Sequence, residues 1–390
     1  MTVARTIADQ LSRSSWIRKM FEEGARLKAE RGAENVFDFS LGNPEIEPPP
    51  CVLEAARRAL DDPRPGRHAY MPNSGFPAVR QRLAERLAAA TGVPFEGRNI
   101  VMTVGAGGAL NVLFKAILDP GDEVIVLAPY FVEYGFYVGN HGGKLVVADT
   151  TRDFQPDIEK IRAAVTPRTK AILVNSPNNP TGVIYSAETF RALDALIKSL
   201  DHDVLLVSDE PYKALVFDDV KPPEVPAYVD NVVVATSWSK TLALPGERIG
   251  YLAVSPRIAD ADKLADACTF AIRVLGFVNA PAIWQWVAAE VGDQSIDVAP
   301  YREKSGILYR GLTEIGYRCV RPQGAFYLFP ETPIADDVAF VRMLVDEGVL
   351  TVPGTGFGRP GHMRLSITVP KKTVEGALPG LERAFRRARG

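Results

Sequence analysis

The sequence predicts an α/β protein: a large domain built on a mostly parallel sheet flanked by helices, with a smaller α+β domain assembled from both chain ends. Three observations predict it. Six short apolar runs, "NIVMTV", "DEVIVLAP", "KLVVAD", "KAILVNS", "DVLLVSD" and "NVVVATS", lack polar alternation, as strands covered on both faces do. Helical stretches such as "SAETFRALDALIKSL" separate several of them, the alternation that produces a parallel sheet. After about residue 295 the pattern becomes mixed, with "YREKSGILYRGLTEIG", "GAFYLFP", "VAFVRMLVDEG", "VLTVP" and "HMRLSIT", which reads as a second, α+β unit.

Taken in order, "SRSSWIRKMFEEGARLKAERG" carries Trp16, Ile17, Met20 and Phe21 at helical spacing and ends in glycine, so one amphipathic helix is expected there. "ENVFDFSLGNPEIEPPP" then gives a short strand running into a proline-rich crossing between domains. The large domain is expected over 51–294 and the small one over 1–50 and 295–390. No internal repeat or low-complexity segment interrupts this plan.

Bulk properties exclude several function classes. The 390 residues are 46% hydrophobic and 24% charged, an ordinary globular composition. Lys and Arg number 45 against 47 Asp and Glu, a formal net charge of −2, so bulk charge offers no hold on a nucleic acid or other polyanion. Cys51, Cys268 and Cys319 are odd in number and far apart, which fits packing residues in a reducing compartment better than a disulfide framework. The amino terminus lacks a signal-peptide core and no apolar run reaches membrane-spanning length, so a cytoplasmic protein with no membrane partner is expected. His68, His141, His202 and His362 show no metal-ligand spacing, and no metal site is expected.

In an open parallel sheet, ligands bind beyond the carboxyl ends of the strands. After "NIVMTV" comes "GAGGAL", whose small residues, Ala106 and Gly107 among them, leave backbone N–H groups free for a phosphate. After "DEVIVLAP" come Tyr130 and Tyr134. After "KAILV" comes "NSPNNPTG", with Asn175, Asn178, Asn179 and Gly182. "DVLLVS" leads into Asp209 and Tyr212, and "NVVVAT" into Ser237, Ser239 and Lys240, with Arg248 eight positions beyond that lysine. Each has an ordinary reading of its own: a packing helix start, a turn, a helix cap, a core aromatic, a solvated lysine. Those readings would have to hold independently at five strand ends.

Together the residues match the needs of pyridoxal 5′-phosphate. Its aldehyde needs a lysine, its ring nitrogen a carboxylate, its phenolic oxygen donors and its phosphate a cradle. Lys240, Asp209, Asn179 with Tyr212, and the small-residue loop with Ser237 and Arg248 offer these, and Tyr130 offers a stacking face. A cation beside Lys240 would also favour its neutral amine.

"NSPNNPTG", "SDEPY" and "SWSKTLALPGERIG" resemble the motifs of the class I/II aminotransferases among the fold type I pyridoxal-phosphate enzymes, in order and spacing along nearly the whole chain. The resemblance implies transfer of an amino group between an L-amino acid and a 2-oxo acid, with 2-oxoglutarate as one partner, through a Schiff base on Lys240. It gives Asp209 to the ring nitrogen, Asn179 and Tyr212 to the phenolic oxygen, and Ala106, Gly107, Ser237, Ser239 and Arg248 to the phosphate, with Tyr130 stacked on the ring. Tyr70, in "HAYMPNSGFPAVR", resembles the tyrosine that reaches the neighbouring subunit's phosphate, which implies a homodimer. Arg364, in "HMRLSIT", resembles the arginine that clamps the substrate α-carboxylate, with the backbone of Gly42 as its companion.

The same cofactor chemistry serves a β-lyase or decarboxylase, the alternative left open. A nicotinamide dehydrogenase is disfavoured, because "GAGGAL" lacks the third glycine of the dinucleotide fingerprint and "PGTGFGRPG" puts Arg359 there. A pyridoxal-phosphate regulator would need an attached DNA-binding module, and the residues before the core are too few and insufficiently basic. For the donor, some aspartate-preferring relatives carry a lysine where this chain has Gly107, so that route to an acidic side chain is missing. Phe270, Phe277 and Phe357 leave room for neutral or aromatic donors, and aspartate stays open.

Overall fold

The computed structural model describes residues 2–12, 16–218 and 220–390. The strands in chain order are β1 (Phe37–Asp38), β2 (Ile100–Thr103), β3 (Glu123–Ala128), β4 (Lys144–Asp149), β5 (Thr169–Asn175), β6 (Leu205–Asp209), β7 (Val232–Ser237), β8 (Gly250–Val254), β9 (Tyr327–Leu328), β10 (Val349–Leu350), β11 (Val352–Pro353) and β12 (Met363–Ser366). Seven of them form the main sheet in the order β2-β8-β7-β6-β5-β3-β4. Only β8 runs against its neighbours there; every other pair is parallel. The six apolar runs are six of these strands. The seventh, β8, is "GYLAV" directly behind the lysine motif, too short and too close to that motif to stand out as a separate run.

Except along the edge strand β4, where Val147 is 46% exposed, the unbroken apolar runs follow from coverage on both faces. Along β5, Ile172 and Val174 enter one core cluster, whereas Ala171 and Leu173 enter the opposite one. The helices Pro50–Asp61, Pro77–Thr91, Ala187–Lys198 and Ala282–Val291 contribute to the first cluster, and Gly105–Ile117 and Ala261–Val274 to the second. Each fully buried Val, Leu or Ile stabilises the packing by about 1.5–3 kcal/mol relative to an exposed one. Local signals fix where helices begin: Pro50 and Pro77 occupy first helical positions, and the Ser186 hydroxyl accepts from the Thr189 N–H at 3.2 Å.

The chain ends meet in a second core. Residues Phe37 and Asp38 pair in parallel with Val349 and Leu350, while β11, β12 and β9 form an antiparallel sheet. Helices Ala299–Ile315, Asp337–Asp346 and Lys371–Arg389 pack on it around Tyr301, Phe326, Phe340 and Leu365. The amphipathic helix runs Trp16–Arg31 with Met20 and Leu27 buried, preceded by a separate helix, Arg5–Ser12. The first residues of the expected span, 13–15, and the side chains of Ile17 and Phe21 lie outside what is described. Tyr212, Leu215 and Phe217, just beyond β6, belong to this second core, so the two bodies join where the main sheet's strands end.

All three cysteines are free; Cys268 is buried, and Cys51 and Cys319 pack at core edges, as expected of packing residues. Among the described residues, no helix is long and apolar enough to cross a membrane.

At Gly250 the backbones of two neighbouring segments close in. A Cβ there would stand 2.3 Å from the Thr236 carbonyl oxygen and 2.9 Å from the Gly105 backbone, neither of which is a flexible side-chain end. Gly250→Ala should therefore destabilise the protein by about 1–3 kcal/mol, read as a lowered urea midpoint at unchanged slope.

Candidate active site

Strand register builds the site. Asn175, Asp209 and Ala235 are cross-strand partners at the ends of β5, β6 and β7, so two polar side chains share one row with Ser237 two positions further on. From Ser237 the chain turns into the short helix Trp238–Thr241, which carries Lys240. With the start of helix Gly105–Ile117, these ends surround a cleft of about 380 Å³ whose far wall is the small sheet, through Tyr327 and Arg364. Gly42, Ala106, Gly107, Asn179, Asp209, Tyr212, Ser237, Ser239, Lys240, Arg248 and Arg364, all singled out in the sequence, line it.

Asp209 sits at its base. The Tyr134 hydroxyl donates to Asp209 Oδ2 at 2.5 Å, and the Asn175 amide donates to the Asp209 carbonyl at 2.9 Å. The other carboxylate oxygen, Oδ1, is buried and, among the described residues, has no hydrogen-bond partner. Burial is the main cause that pushes this carboxyl up to about 7, with the Tyr134 bond pulling the other way and Glu210 adding repulsion. An unpaired buried oxygen of this kind costs about 1–3 kcal/mol, so the site favours a donor, best a cationic one.

Lys240 shows the mirror effect. Burial first, then the Arg364 and Arg248 charges, pull its ammonium down to about 8. Its Nζ donates to the Gly42 carbonyl at 2.7 Å. Gly42 admits no larger residue without rearrangement, since a Cβ would stand 2.1 Å from the Tyr327 hydroxyl. That contact brings the Gly42 backbone to the lysine.

Arg364 is buried, its guanidinium carbon 4.7 Å from the Tyr327 ring centroid and 4.8 Å from that of Phe357. Its Nη1 donates to Asn179 Oδ1 at 3.2 Å and its Nη2 to the Ser40 carbonyl at 2.6 Å, while Nε has no partner. The Asn179 N–H in turn donates to Asn175 Oδ1 at 2.7 Å, which ties the arginine to the Asp209 row. The hydroxyls of Tyr212 and Tyr327 lie 3.1 Å apart across the cleft. Arg248 anchors its own loop, donating to the Pro245 and Val104 carbonyls at 3.0 and 3.3 Å.

Two expectations, for Tyr130 and for the three phenylalanines, land elsewhere. Tyr130 is absent from the cleft lining: its N–H donates to the Phe357 carbonyl at 3.0 Å and its ring lies against Gly358. The ring that lines the cleft is that of the next residue, Phe131. Phe270 and Phe277 are exposed and do not line the cleft; Phe357 backs Arg364 instead. Tyr70 is 89% exposed and outside its own chain's cleft. Sequence reasoning gave no role to Tyr134, although it follows the same strand, and none to Tyr327, which comes from the other sheet and carries no local signal.

The arrangement can seat a planar cationic ring on Asp209, present an amine beside it, and grip a carboxylate with Arg364. Comparisons point the same way. The family model described as aminotransferase class I and II matches residues 34–381. The chain is 37% identical over 368 residues to the aspartate/prephenate aminotransferase of Thermus thermophilus, covering 93% of this chain and 94% of that protein. It is 35% identical over 382 residues to the aspartate aminotransferase of Geobacillus stearothermophilus, covering 93% and 94%. Among solved structures, an aminotransferase from Eubacterium rectale superposes with a TM-score of 0.96 at 37% identity over 100% of both chains. The Thermus thermophilus aspartate aminotransferase with maleate gives 0.85 at 33% identity, covering 98% of this chain and 100% of that one.

Asp209 also makes stability depend on pH. Its carboxyl titrates near 3.8 when unperturbed and near 7 in the fold, so folding favours the protonated form. That contribution is full below the unfolded value and is lost as pH rises through the folded one. For the protein without added ligand, the urea midpoint should therefore fall more between about pH 4 and 7 in the wild type than in Asp209→Asn.

Proposed function

The chain belongs to the class I and II aminotransferase family, and from that premise we propose that it moves an amino group between an L-amino acid and a 2-oxo acid in this cleft, on pyridoxal 5′-phosphate. The observation that carries the cofactor assignment is the orphaned Asp209 Oδ1, buried in the same cleft as a lysine whose ammonium is pulled down to about 8. The residues fit the group: Asp209 would hold its ring nitrogen protonated, Asn179 and Tyr212 its phenolic oxygen, and Phe131 its ring face. The Ala106–Gly107 backbone with Ser237, Ser239 and Arg248 would hold its phosphate. Bound there, the cofactor supplies an electrophilic carbonyl and an electron-accepting ring. Residues 51–294 carry these groups, and the two chain ends bring Gly42 and Arg364 over the substrate.

The protein's own residues do the rest. Arg364, backed by two rings and already fixed by Asn179 and Ser40, orients the substrate α-carboxylate. Lys240, neutral for a large fraction of the time near its titration point, takes the proton from the substrate Cα. Tyr70, turned away from its own cleft, serves the phosphate of a second copy in a homodimer.

Two outcomes test this. Lys240→Ala should lose turnover by about 10⁴-fold or more, with donor and 2-oxoglutarate followed by amino-acid product; retained turnover overturns the assignment. Arg364→Lys should lower kcat/KM by about 10²-fold, chiefly through KM, because an ammonium cannot reproduce the planar two-point grip.

A further inference from the structure

Burial without a partner also marks a residue outside this machinery. Glu133 opens the short helix Glu133–Gly139 and lines the same cleft as Gly107 and Arg364. Its side chain is partly buried, and among the described residues no cation or donor pairs with it. Burial raises its carboxyl with nothing to offset the effect. Carboxylates usually stay hydrated or find a counter-ion; this one is partly shielded from water and, among the described residues, has no counter-ion.

Its neighbours sharpen the chemistry. The Tyr137 phenol faces the same cleft, feels the Glu133 charge and has no hydrogen bond within the described chain. A Cβ at Gly107 would stand 3.0 Å from the Tyr137 hydroxyl, so the bare glycine leaves the space beside that oxygen free. The nearby cation, Arg248, has both terminal nitrogens bonded to the Pro245 and Val104 carbonyls. The cleft lining therefore holds both an arginine, from the small sheet, and a carboxylate without a counter-ion beside a phenol. An amino acid with an α-carboxylate at one end and a cation at the other matches both.

We propose that Glu133, with the Tyr137 hydroxyl beside it, is a specificity-determining subsite that accepts a cationic substrate side chain, so that basic amino acids such as L-ornithine or L-arginine are preferred as donors over dicarboxylic ones. This rests on the reading that Arg364 takes the α-carboxylate. A carboxylate side chain meets repulsion from Glu133, and no lysine at 107 compensates.

Two measurements test it on the cofactor-loaded protein: half-reaction kcat/KM for L-ornithine and L-aspartate, and calorimetric affinity for the unreactive pair 5-guanidinopentanoate and glutarate. Wild type should favour the basic member of each pair. The near-isosteric Glu133→Gln should lower kcat/KM for ornithine by about tenfold or more through KM and raise that for aspartate, with the affinities for the unreactive pair moving the same way. A preference unchanged within about threefold, or equal losses for both members of a pair, overturns the subsite. Absence of any amino transfer would instead overturn the proposed function, and the calorimetric pair still decides the subsite.

Discussion

A carboxylate held dry at the end of a strand is the constraint on which the rest of this cleft depends. Water removed from Asp209 would ordinarily drive its protonation, and the fold moves it in that direction. Tyr134 secures one oxygen and Asn175 the backbone behind it, so the second oxygen can be aimed but not satisfied. The parallel ladder makes this durable: Asn175, Asp209 and Ala235 are locked in register by strands whose apolar side chains, Leu205 only in part, are buried in one core or the other. The same dryness acts in the opposite sense on Lys240 and draws its ammonium toward the neutral amine. One environment thus prepares an acid that needs a cation and an amine ready to lose its proton.

The carboxylate grip is built by a different route, through packing. Arg364 is positioned by a sandwich of rings, and one of them, Phe357, sits in the turn Gly354–Phe357. That turn is fixed by buried Asp337, which accepts from the Thr355 N–H at 2.6 Å and from its hydroxyl at 2.8 Å. From the other side, the segment bearing Ser40 and Gly42 is bound into the small core: Phe39 donates to Leu350 and accepts from Ser366, both at 2.9 Å. Further along, buried Lys304 pairs with Glu45 and donates to the Val369 carbonyl at 2.9 Å. Residues remote in sequence are needed to aim one guanidinium.

This difference explains what was legible in the sequence. Asp209 and Ser237 end strands, and Asn179 and Lys240 follow strands, whose apolar runs announce themselves, and the residue after a buried strand has only one place to go in an open sheet. The β8 strand was hidden because its five residues follow the lysine motif without a turn signal of their own. Tyr130 was chosen over Phe131 because the choice between neighbours depends on which side of the chain faces the cleft, and that is set by the Gly358 contact 228 positions away in sequence. Tyr327 and Glu133 had no motif to mark them. Both line a cleft that exists only once two cores have met.

If Arg364 takes the substrate carboxylate as proposed, the grip is also largely complete before substrate arrives. Arg364 offers five N–H donors in a fixed plane; Asn179 and Ser40 engage one from each terminal nitrogen, and the Nε donor stays free. An incoming carboxylate adds bonds to a guanidinium already desolvated and already oriented, so little structure must rearrange when it binds. Tyr212 and Tyr327 make the same point at the junction, since their 3.1 Å contact joins a residue beyond β6 to one on the small sheet. Charges that would be costly to bury one at a time are held here by groups from both bodies, and the binding energy of a small amino acid can go into positioning its Cα beside Lys240 instead of assembling the site around it.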